Sequence, residues 1–240
     1  MRSESFTIDA GGGKMPAYLA RPDDGAPRPA VIVLQEIFGV NAEVKRITDL
    51  LASSGYVGLA INYYHRTHPD LNEPYTPEGL KNGFAAAGQV SRETLLTDVA
   101  AALGWLDAQD FVQTGSAGTW GFCFGGSVAF LSATLPGVRA AACFYGGQIA
   151  SPLPGGEPPA IADAARLRAP LLLAFGGKDD HITPAHVEQI RSALEAARAS
   201  FDIVVYPDQG HAFFRNSDLS QPDVADAWRR VQAFFERHLG

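Results

Sequence analysis

Short apolar runs rich in β-branched residues recur along the chain, and most are followed by a stretch with helical spacing. Residues 30–34 form one such run, and Asn41 can cap a helix that continues to Ser54 and is ended by Gly55. Residues 56–61 are the next strand, and residues 91–108 are helical by the spacing of Leu95, Val99, Leu103 and Leu106. Strands at 118–122, 140–145, 170–175 and 201–206 follow. Helices run from the first of these to about Thr134 and over 185–197, and a last one carries Val224, Trp228, Val231, Phe235 and Leu239 on one face. Parallel neighbours need helical crossovers, so this alternation implies an α/β fold, a mostly parallel central sheet with helices on both faces. Two earlier strands, 3–8 and 15–20, joined by a glycine turn, predict an N-terminal antiparallel hairpin. Residues 63–88 read as a long irregular excursion, and 151–160, with four prolines and two glycines, as a loop.

A chain of 240 residues suits one α/β domain over 1–240, large enough to bury a substantial core. The net charge of -7 argues against a partner that is nucleic acid or an anionic membrane. Two cysteines make no disulfide framework. Residues 1–10 do not read as a secretory leader, and no apolar run approaches the roughly 20 residues of a membrane helix. A soluble cytoplasmic protein is the resulting expectation, with oligomeric state open and a monomer the simpler reading. No dinucleotide or phosphate-loop motif is present, so no cofactor is implied.

In a parallel sheet ligands bind past the carboxyl ends of the strands. Glu36, Tyr63, Cys123, Tyr145, Asp179 and His211 all fall there. Gly121-Phe122-Cys123-Phe124-Gly125-Gly126, between a strand and a helix, has the pattern of a nucleophile elbow with cysteine in place of serine. The turn is sharp, and side chains two places either side of the nucleophile would collide with backbone. The helix start beneath the sulfur favours negative charge and offers free N–H groups, Phe124 first among them, with a second expected near Ile37. Cys143, mid-strand, reads as core. Gly210-His211-Ala212-Phe213 places a base at the correct end of the sheet. Asp179 or Asp180 could orient that histidine, and Asp179 lies nearer the strand end. His65, His68, His181, His186 and His238 form no convincing metal set, and no metal is expected.

Gln35-Glu36-Ile37-Phe38-Gly39-Val40-Asn41, the cysteine elbow and the Gly-His-x-Phe loop together resemble the dienelactone hydrolase (carboxymethylenebutenolidase) family, over almost the whole chain. The resemblance implies an α/β-hydrolase fold and hydrolysis of a small lactone or ester by a triad of Cys123, Asp179 and His211 through a thioacyl-enzyme. It implies that Glu36 helps deprotonate the thiol when substrate arrives, and that Ile37 and Phe124 donate to the oxyanion. It further implies that Arg66 and Arg215 hold a substrate carboxylate, with Phe38 and Tyr145 also at the substrate. Phe124 stands where the family commonly has a smaller aliphatic residue, and the two excursions do not match closely. A general carboxylesterase or thioesterase of the same fold is the nearer alternative. A fold that has lost catalysis and only binds is the more distant one, and an intact nucleophile, acid and base argue against it.

Overall fold

In the computed structural model, which describes residues 1–240, eight strands join in one sheet. They are β1 (Arg2–Ala10), β2 (Gly13–Arg21), β3 (Arg28–Leu34), β4 (Val57–Ile61), β5 (Val112–Phe122), β6 (Ala141–Phe144), β7 (Leu171–Gly176) and β8 (Phe201–Tyr206). Their order is β1-β2-β4-β3-β5-β6-β7-β8. β1 pairs with β2 and β2 with β4 antiparallel, and every other pair is parallel. This is the α/β-hydrolase architecture with its N-terminal hairpin. The residues of β4, β6 and β7 are all buried, as parallel strands covered on both faces must be. Edge strand β1 is mostly exposed and carries Arg2 and Glu4, charges that discourage pairing with another chain.

Six helices cover the sheet: α1 (Ala42–Ser53), α2 (Pro77–Ala87), α3 (Arg92–Asp107), α4 (Phe124–Ser132), α5 (Pro184–Ala196) and α6 (Pro222–Leu239). Alternation along β5 separates the two layers. Thr119 hydrogen-bonds Ser132 of α4 at 2.9 Å, whereas Trp120 stacks on Trp228 of α6 with ring centroids 5.5 Å apart. Asn41 caps α1 by accepting from Glu43 N–H and Val44 N–H, as its place in the sequence predicts.

Two segments differ from their sequence patterns. Residues 63–88 are not irregular throughout, because Thr76 caps and Pro77 opens α2. Its two glycines weaken the helical pattern but have a packing reason. A Cβ on Gly83 would lie 2.7 Å from the Ile37 carbonyl oxygen, so only glycine lets α2 rest on that loop. Strand β5 begins six residues earlier than its apolar run, since Val112 pairs with Arg28 before a register shift.

Arg66 occupies a structural position. Its guanidinium donates to both oxygens of Asp98 at 2.8 Å, and His65 Nε2 lies 3.2 Å from the same carboxylate. Asp98 is fully buried on α3, so these partners carry its charge. Removing it in Asp98→Ala is expected to destabilise the fold by about 2–4 kcal/mol in urea unfolding. The upper end of the buried-pair range is not reached because Arg66 can rehydrate.

Candidate active site

The elbow conformation is enforced by close packing. Cys123 has φ 53° and ψ -118°, a conformation that non-glycine residues rarely hold. Its N–H donates to the Phe144 carbonyl at 3.0 Å, and the Gly126 N–H donates to its carbonyl at 3.0 Å. A Cβ on Gly121 would overlap the Gly125 carbonyl, and one on Gly125 would overlap the carbonyls of Leu34 and Gln35. The chain can turn here only with glycine at both places. Cys123 is partly exposed, while Cys143 is buried in β6, where burial pushes its thiol well up, so Cys143 is core.

The acid and base loops are tied together by backbone. Gly177 N–H donates to Tyr206 O at 2.7 Å and Lys178 N–H to Gln209 O at 2.8 Å. Of the two candidate aspartates, Asp179 is the one on the histidine. Its Oδ2 lies 2.8 Å from His211 Nδ1, and its Oδ1 accepts from His181 N–H at 2.8 Å and Ile182 N–H at 3.0 Å. Asp180 is exposed on the cavity wall. Burial alone would raise the Asp179 carboxyl, but His211 and the two N–H donors hold it below the usual carboxylate range.

His211 responds in the opposite sense. Burial works against its charge, and hydrogen bonding to Asp179 and to Cys123 more than offsets this, raising it from 6.5 to about 10. Nuclear magnetic resonance titration should therefore find this imidazole still protonated through neutral pH, and Asp179→Asn should move its midpoint down towards 6.5. The linked stability follows by sign. The folded state binds this proton more tightly, so the contribution is complete below pH 6.5 and is lost as pH rises through about 10.

Glu36 and Arg215 form a bidentate pair at 2.8 and 3.1 Å, and Glu36 is only 4% exposed. The Arg215 guanidinium also lies 4.1 Å from the centre of the Tyr75 ring. Burial opposes its charge, and Glu36 more than restores it. The segment after Arg215 is pinned to α1, where Asn216 N–H donates to Glu43 and Arg46 donates to Ser217.

Cys123, His211 and Arg215 line one cavity of about 550 Å³, together with Ile37, Phe38 and Phe124. Phe124 opens α4, so its N–H is one of the helix's free donors, and the Ile37 N–H has no backbone acceptor.

Two residues expected at the substrate are not on this cavity's wall. Arg66 does not line this cavity, because the buried Asp98 carboxylate holds its guanidinium. Tyr145 is buried behind it, where its ring packs against that of His211 with centroids 5.4 Å apart. The sequence reading missed Leu80 and Phe84 of α2 and His181 on the cavity wall. The Thr76-Pro77 helix start was the available signal for the first two.

Residues 15–239 match the dienelactone hydrolase family. A Synechocystis sp. protein named "Putative carboxymethylenebutenolidase" is 37% identical over 92% of this chain and 91% of its own length. A Bradyrhizobium sp. protein named "Probable 2-oxo-3-(5-oxofuran-2-ylidene)propanoate lactonase" is 32% identical over 100% of this chain and 98% of its own. The crystal structure of a Klebsiella pneumoniae protein, titled a "Putative Dienelactone Hydrolase", superposes with a TM-score of 0.88 at 32% identity, covering 99% of both chains. With the matched span and the fold in agreement, the chain is a hydrolase that belongs to the dienelactone hydrolase family.

Proposed function

We propose that this hydrolase cleaves small carboxylate-bearing lactones or esters through a thioacyl intermediate on Cys123. The observation that carries the reading is the Asp179–His211 pair sharing one cavity with Cys123 and with an arginine paired with a buried carboxylate. The name of the Bradyrhizobium relative joins a carboxylate to an unsaturated lactone, the two groups that Arg215 and Cys123 would engage.

A substrate carboxylate competes for Arg215 and frees Glu36 to take the thiol proton. The thiolate, paired with protonated His211, attacks the carbonyl, and the oxyanion is held by the Ile37 and Phe124 N–H groups. As the intermediate collapses, His211 gives its proton to the leaving oxygen. The neutral imidazole then takes a proton from the water that attacks the thioester. Expelled thiolate recovers its proton from Glu36, which closes the cycle.

A neutral-ester hydrolase is the second reading, supported by the loss of Arg66 from the cavity, which leaves one arginine there. The test is kcat/KM on a dienelactone and on p-nitrophenyl acetate, side by side. A value above roughly 10⁴ M⁻¹s⁻¹ on the lactone, and well above the ester, is expected. Activity confined to the ester would retain Cys123 and His211 and reject the anionic substrate.

A further inference from the structure

Leu80 and Phe84 are large apolar side chains left 42% and 57% exposed. They stand one helical turn apart on α2, and both line the cavity that holds Cys123 and His211. Ala87, one turn further, lines it too. Gly79, Gly83, Ala86 and Ala87 itself are buried. Gly83 seats the helix on the carbonyl of Ile37, whose N–H is the expected oxyanion donor. The apolar face is thereby held at a fixed place relative to the reacting carbonyl. A cavity of about 550 Å³ lies within the range of about 300–1,000 Å³ typical of drug-sized ligands. A butenolide ring with a carboxylate arm would leave much of it empty.

We propose that the Leu80–Phe84 face is an apolar subsite for a hydrocarbon part of the substrate. This enzyme would then act best on carboxylate-bearing esters or lactones that also carry an alkyl or aryl group. The inference rests on the hydrolase reading above for its place in turnover, and on the cavity alone for binding. Arg215 takes the carboxylate, and α2 removes the apolar group from water.

The test uses butyrate, hexanoate and octanoate as competitive inhibitors of p-nitrophenyl acetate hydrolysis, on the wild type and on the Leu80→Ser/Phe84→Ser double variant. Both positions are exposed, so the variant is expected to fold, which circular dichroism checks. In the wild type Ki should fall about two- to fourfold per added methylene, and in the double variant this dependence should flatten. A Ki independent of chain length, or the same dependence in both proteins, would overturn the subsite while leaving the hydrolase reading intact. If neither the ester nor a dienelactone is turned over, that reading fails instead. Calorimetric titration of the same carboxylates must then give the same chain-length dependence, and its absence would overturn the subsite as well.

Discussion

Cys123→Ala is expected to lower kcat/KM on every substrate by roughly 10⁴-fold or more, with the fold intact. Alanine accepts the backbone that cysteine already holds at φ 53°, and it retains the flanking glycines and the Cys123 N–H to Phe144 O bond. What disappears is the only partly exposed thiol in the chain, since Cys143 is buried in β6 and cannot substitute. The loss should therefore fall on turnover and not on substrate affinity. Steady-state kinetics beside a circular dichroism spectrum checks this, and residual activity above about a hundredth of wild type would point to another nucleophile.

Arg215→Ala should separate substrates by charge. On a carboxylate-bearing lactone the loss of a bidentate charge-assisted partner is expected to cost about 10²–10³-fold in kcat/KM. On p-nitrophenyl acetate the decline should stay within about tenfold. The change also strands Glu36, a carboxylate only 4% exposed, so some loss of stability accompanies it. The ratio between the two substrates is the informative quantity, because a general disturbance of the site would lower both alike.

The alternation of apolar runs and helical spacing made the layered sheet legible, since burial on both faces imposes that pattern on parallel strands. The elbow and the Gly-His loop were legible for a related reason: the residues that permit a sharp turn lie beside the group it presents. Three features were not. Helix α2 was hidden by Gly79 and Gly83, which local propensity counts as breakers and which packing against Pro74 and Ile37 requires. Arg66 matched a substrate-binding position in the linear order, yet its partner Asp98 lies thirty-two residues away on α3, and no local spacing signals that pairing. The choice between Asp179 and Asp180 depended on which carboxylate the two following N–H groups fix towards His211. In each case the missing information was tertiary.

The central claim is that the reaction passes through an acyl group on Cys123. Rapid mixing with p-nitrophenyl acetate, acid quenching and peptide mass spectrometry would test it most directly. An acetyl adduct is expected on the peptide carrying Cys123, formed at least as fast as the steady-state rate and absent from Cys123→Ala. Turnover with no adduct at that residue, or with the acyl group on another side chain, would contradict it.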